Sequence, residues 1–122
     1  MSHIVEIKTE IRDPVAMSAA CQRLGLASPQ QGTATLFTQQ VSGWIVELPN
    51  WRFPVVVDTG SGQVQYDNYE GRWGDVGQLN RLMQAYAVEK AKLEARKNGH
   101  SVTEHSLQDG SVKLAIQIGG AA

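Results

Sequence analysis

Residues 75–98 carry the pattern that most restricts the fold of this 122-residue chain. Leu79, Leu82, Met83, Tyr86, Lys90 and Leu93 recur at helical spacing, so one side of a long helix is apolar, with Lys90 adding its aliphatic stem. Asp75 and Gln78 have capping-box spacing, with Asp in place of the usual Ser or Thr, and Asn98-Gly99 ends the helix. Lys90 with Glu94, and Glu94 with Lys97, stand where charges interact along a helix surface. Such a helix needs a surface to cover, and the rest of the chain supplies strands.

Residues 4–11 are rich in β-branched side chains, with Val5, Ile7 and Thr9 on one face of a strand. Asp13-Pro14 starts a first helix: Asp13 accepts backbone N–H groups as the cap, and Pro14 suits the first helical position. Met17, Ala20, Cys21 and Leu24 form its apolar stripe, and Gly25 stops it. Residues 27–32 read as a loop, 33–41 as a strand, Ser42-Gly43 as a turn, and 44–48 as a strand ended by Pro49. Residues 55–57 and 63–69 are two further strands, joined by a turn at 58–62. Residues 70–74 form a loop before the long helix.

After that helix, Asp109-Gly110 is a two-residue hairpin signal, because both central positions need positive φ. Val112, Leu114, Ile116 and Ile118 alternate after it, so one face of the last strand is expected to be buried. The predicted order is β-α-β-β-β-β-α-β-β. Two helices cannot cover both faces of such a sheet. The expected class is therefore α+β: one domain over residues 1–122, a two-layer sandwich with both helices on one face of an antiparallel sheet, ferredoxin-like or TATA-binding-protein-like in topology.

Charge narrows the function classes. A net charge of -1 and a pI near 6.3 lack the basic excess of a nucleic-acid binder. Cys21 is the only cysteine, so no internal disulfide forms, and a reducing compartment is expected. No apolar run reaches the length of a membrane span, and Met1-Ser2-His3-Ile4 lacks the basic and apolar stretches of a signal peptide. The expected location is the cytoplasm, with no membrane partner.

Several strings combine into a resemblance. These are Met1-Ser2-His3, Ile7-Lys8-Thr9 and Ile11-Arg12-Asp13 at the start, and Tyr86-Ala87-Val88-Glu89-Lys90 in the long helix. Asn98-Gly99-His100-Ser101-Val102-Thr103-Glu104 and Gln108-Asp109-Gly110-Ser111-Val112-Lys113-Leu114 follow it. Together they resemble a family of small uncharacterised proteins, the hypothetical chloroplast reading frame thirty-five group of plastids, cyanobacteria and other bacteria. The resemblance covers both ends of the chain. Residues 27–73 match poorly, and Ile118-Gly119-Gly120 stands where family members carry an Arg-Trp pair. The resemblance implies a domain without established catalytic residues, so no active site is carried over, and it implies a housekeeping or assembly role.

Candidate chemistry is sparse. His3, His100, His105 and Cys21 lack the tight local pairs of a zinc site, and the odd separation of His100 and His105 puts them on opposite faces of a strand. No metal and no cofactor are expected. Cys21 sits on an apolar stripe, where a thiol behaves as a small buried hydrophobe. Asp58-Thr59-Gly60 matches the triplet of aspartic proteases, but a hairpin turn explains each residue. The same segment lacks the Gly-Lys-Ser/Thr ending of a phosphate loop. Gly119-Gly120-Ala121-Ala122 has the diglycine of a ubiquitin-like tail without the strand order to match, and reads as a frayed terminus. No catalytic residue is assigned.

The aromatic residues are more informative. Trp44, Trp51, Tyr66, Tyr69 and Trp73 crowd the middle of the chain, and Trp51-Arg52-Phe53 and Tyr69-Glu70-Gly71-Arg72-Trp73 place arginine beside them. Trp, Tyr and Arg are favoured at binding hot spots. The competing reading puts Trp44 and Tyr66 in the core and Trp51 and Trp73 over its edges. The expected function is a non-enzymatic protein-binding or adaptor module using Trp51, Arg52, Tyr69, Arg72 and Trp73, with self-association into a homo-oligomer as a further expectation. The alternative is a small enzyme or ligand-binding domain with a pocket near Asp58 and Arg72. A weaker alternative is a single-stranded nucleic-acid binder, which Asp67, Glu70 and Asp75 oppose.

Overall fold

Local signals set both helices in the computed structural model, which describes residues 4–119. Asp13 caps α1 (Pro14–Arg23) by accepting from the N–H groups of Val15 and Ala16. Asp75 caps α2 (Val76–Lys97) by accepting from Gly77 N–H. The two helices pack against one another, and no described helix is long and apolar enough to cross a membrane.

The strands are β1 (Val5–Lys8), β2 (Gln30–Leu36), β3 (Gln39–Val46), β4 (Val55–Asp58), β5 (Gln63–Tyr66), β6 (Ser101–Ser106) and β7 (Val112–Gln117). The first five form an antiparallel sheet in the order β1-β5-β4-β3-β2. The class is α+β. One face of this sheet, through Val46, Val55, Val57, Val64 and Tyr66, packs on Met17, Ala20 and Cys21 of α1 and on Leu79, Leu82 and Tyr86 of α2. Full burial of each such aliphatic side chain contributes about 1.5–3 kcal/mol.

Two features differ from the sequence reading beyond shifted strand ends: residues 30–32, expected as loop, belong to β2, and the strand expected over 63–69 stops at Tyr66. The first is the β2–β3 turn, which lies at Phe37-Thr38 and not at Ser42-Gly43; Leu36 pairs with Gln39. Gly43 is within β3, opposite Gly32, and a Cβ there would meet the Val57 carbonyl oxygen at 2.7 Å. That glycine serves close approach of a neighbouring strand, not a turn. The distal half of the hairpin contributes to the second face of the sheet. There Leu36 and Val41 bury against Val56, with Ile4, Ala34 and Phe53 around them. Val55, Val56 and Val57 are consequently buried on alternate sides of one strand.

The second difference is the C-terminal hairpin. β6 and β7 pair only with each other and rest on α2. Glu104 of β6 joins Arg23 of α1 and Lys92 of α2, and Glu89 completes the group at 3.3 Å from Arg23 and 3.4 Å from Lys92. Of the alternating side chains of β7 and the residue after it, Val112 and Leu114 are half-buried, whereas Ile116 and Ile118 are 47% and 75% exposed. A hairpin lying on a single helix has too little surface beneath it to cover its whole apolar side.

Candidate functional site

The loop between β5 and α2 is built around two buried polar residues. Asp67 Oδ1 accepts from Tyr69 N–H at 3.1 Å. Asn68 donates from Nδ2 to the Gly74 carbonyl at 3.1 Å, and its own carbonyl accepts from Gly71 and Trp73 N–H. These bonds hold Tyr69 and Glu70 at φ of 46° and 53°. Phe37 and Asn50 are the other non-glycine residues with positive φ among those described. Asn tolerates this conformation, whereas a bulky side chain is strained there by about 1–3 kcal/mol.

Two of these residues, Phe37 and Tyr69, belong to one aromatic cluster. Trp73 is its centre: ring centroids of Phe37, Phe53 and Tyr69 lie 5.4, 5.5 and 4.7 Å away. The Arg52 guanidinium sits 4.7 Å from the Trp73 centroid and 5.6 Å from that of Phe53, and the Arg72 guanidinium sits 5.0 Å from that of Tyr69. Arg52 N–H also donates to the Trp73 carbonyl at 2.8 Å, which locks the two loop segments together. Both arginines are exposed, and neither makes an ion pair among the described residues.

The five residues singled out from the sequence therefore separate. Arg52, Tyr69, Arg72 and Trp73 converge on this surface. Trp51 has turned to the core edge: its ring meets Tyr66 at 5.6 Å, its Nε1 donates to the Asp75 carbonyl, and its indole lies where a Gly74 side chain would be. Trp44 also packs against the main core. Phe37 and Phe53 complete the cluster without having been picked out. A signal for Phe37 was present: apolar positions are even at Ala34 and Leu36 but odd at Val41 and Ile45. That change of phase marks a turn between them.

Asp58 and Arg72 are not brought together. Asp58 lies beside Gln63 at one end of β5, where its carboxylate ties Gly60 N–H and Ser61 Oγ. Arg72 lies beyond Tyr66, at the other end. Cys21 is buried, and burial pushes its thiol pKa up, away from a reactive thiolate. Among the described residues, no three His, Cys, Asp or Glu side chains cluster as metal ligands. His3, Gly120, Ala121 and Ala122 lie outside the described residues.

A second concave region lies between the β1–α1 connection and α2, a groove of about 920 Å³. The Tyr86 oxygen accepts from Arg12 and Asp13 N–H at 3.1 and 3.0 Å. Lys90 Nζ donates to Asp13 Oδ2 at 3.0 Å and to Glu94 Oε1 at 2.8 Å. The hydrogen bond from Lys90 lowers the pKa values of Asp13 and Glu94, and the two carboxylates raise that of Lys90. Compared with known proteins, the chain matches no family profile, no curated protein and no solved structure.

Proposed function

We propose that this chain is a non-enzymatic protein-binding module, an adaptor or assembly factor, whose contact surface is Arg52, Arg72, Tyr69 and Trp73 with Phe37 and Phe53. One observation carries the reading. Two exposed guanidinium groups are held over aromatic rings in a loop fixed by buried hydrogen bonds, and neither has an ionic partner among the described residues. A stacked guanidinium keeps its N–H edge available for a partner's carboxylate or carbonyl groups. Because the side chains are already ordered, less conformational entropy is lost on association. Kinship with the chloroplast reading frame thirty-five group belongs to the same proposal, since a family without established catalytic residues agrees with a binding role.

The test is affinity capture from the producing cell with wild type and with Arg52→Gln/Arg72→Gln, followed by titration calorimetry on the purified partner. A stoichiometric protein partner bound by wild type and bound at least tenfold more weakly by the double variant is expected. Equal binding by the two forms overturns the surface, and recovery of single-stranded nucleic acid in place of a protein overturns the partner class.

Self-association is the second part of the proposal. It rests on Leu107, Ile116 and Ile118, which stand 47%, 47% and 75% exposed on the C-terminal hairpin. Sedimentation equilibrium over a rising concentration series tests it, and a monomer throughout ends it.

A further inference from the structure

The groove beside α2 has an imbalance in its hydrogen bonding. Tyr86 is 5% exposed, and its oxygen accepts two backbone N–H groups. A phenol that accepts twice still has a proton to donate. That O–H has no acceptor among the described residues. Lys90 carries three N–H groups and engages two, on Asp13 and Glu94. Lys8 and Arg12 also line the groove and make no ion pair among the described residues.

The acceptors on the same walls are mostly engaged. Asp13 uses Oδ1 on the first turn of α1 and Oδ2 on Lys90. Glu94 faces Lys90 and, at 3.7 Å, Lys97. Only Glu10, of the acidic lining residues, has no described partner. The site therefore offers donors and calls for an acceptor. Beside these groups Met83, Ala87 and Ala91 repeat every fourth residue along α2, giving an apolar track next to the polar one. A volume of about 920 Å³ lies within the range that takes a small molecule.

We infer that this groove binds a monocarboxylate with a short apolar chain, its carboxylate meeting the Tyr86 O–H and the Arg12 side chain and its chain lying along Met83, Ala87 and Ala91. The site is separate from the aromatic surface and does not depend on the reading given to it.

Octanoate, octan-1-ol and octylamine serve as probes on the full chain, read by amide chemical shifts. The Arg12 and Asp13 N–H groups report directly, because both bond to the Tyr86 oxygen. Octanoate should give saturable shifts at these two amides. Octanol should bind roughly tenfold more weakly, the worth of one charge-assisted hydrogen bond. Tyr86→Phe removes an acceptor that the fold uses, so the blocking variant is Ala91→Phe, which fills the track and leaves those bonds in place. It should weaken octanoate at least tenfold while the amide shifts of the sheet stay put. Arg12→Gln should weaken it several-fold. Absence of saturable shifts, octanol or octylamine binding as well as octanoate, or unchanged binding by Ala91→Phe would each overturn the inference.

Discussion

The two ends of β5 are held in opposite ways. Beyond Tyr66 the backbone itself is distorted, with Tyr69 and Glu70 in left-handed conformations, and the rings of Phe37, Phe53, Tyr69 and Trp73 pack over the distortion. Before Gln63, side chains reach across to backbone groups of another element. Thr9 Oγ1 donates to the Gly62 carbonyl at 2.7 Å, and Tyr86 receives Arg12 and Asp13 N–H. Cations follow the same division. Arg52 and Arg72 lie over aromatic rings and make no ion pair among the described residues, whereas Lys90 is fixed between two carboxylates. Aromatic packing leaves both arginines without an ionic partner at the first end; at the second, carboxylates pair Lys90, while Lys8 and Arg12 make no ion pair among the described residues.

Two glycines give the strongest way to break this contrast. At Gly62, φ is 79° and a Cβ would fall on the Thr9 carbonyl oxygen, so backbone must move. Gly62→Ala is expected to cost more than about 3 kcal/mol. At Gly74 a Cβ would fall on the Trp51 indole, a side chain and not backbone, and Gly74→Ala is expected to cost about 2 kcal/mol as the packed ring is displaced. Urea unfolding measures both, and equal losses would remove the distinction between a backbone-fixed and a ring-fixed end.

Tyr86→Phe is expected to lie in the same range. It leaves Arg12 and Asp13 N–H without their acceptor and is expected to cost about 2–4 kcal/mol in chemical denaturation. A loss below about 0.5 kcal/mol, the level of an ordinary surface change, would mean that those bonds do not fasten the β1–α1 connection. Smaller still is Arg52→Gln/Arg72→Gln, expected to cost less than about 1 kcal/mol, since exposed cation–π contacts are weak. A large loss there would recast both arginines as parts of the scaffold.

The smallest effect is a titration. The hydrogen bond from Lys90 holds the Asp13 carboxyl below 3.8, desolvation opposes it, and Val15 and Ala16 N–H assist. A lowered carboxyl pKa means that stability from this group is complete above 3.8 and is lost as pH falls through the lower folded value. In Lys90→Gln the midpoint should rise toward 3.8, read from the Asp13 carboxyl carbon by NMR. An unmoved midpoint would remove Lys90 as the cause.

Features encoded by neighbouring residues were legible in the sequence. Asp13-Pro14 starts α1, Asp75 caps α2, and a hairpin turns near Asp109-Gly110, although its connection spans residues 107–111 and only Gly110, at φ 87°, takes the positive φ expected of both. Features that depend on distant partners were not. Ser42-Gly43 resembles a turn because its composition is that of a turn, while the real turn uses Phe37 at φ 56°, held by rings from residues 53 and 73. Nothing local announces that β6 and β7 form their own sheet, because pairing is a choice among edges. At the aromatic site, Arg52, Tyr69, Arg72 and Trp73 could be named from composition, but separating Trp51 from them required its contact with Gly74. The groove was hidden for a related reason. Tyr86 and Lys90 read as members of an apolar stripe, and the partners that reveal their polar ends lie more than seventy residues earlier in the chain.

The β2–β3 hairpin also has a place in time. Its tip rests on Phe53 and Trp73, so the distal half has nothing to dock on until the β4–β5 hairpin and the loop after it have formed. Docking of Phe37 is then expected to be a late event, beyond the rate-limiting barrier. Loss of its ring in Phe37→Ala should hasten unfolding and leave the folding rate nearly unchanged, giving a φ-value near zero at a residue that helps hold the finished molecule shut.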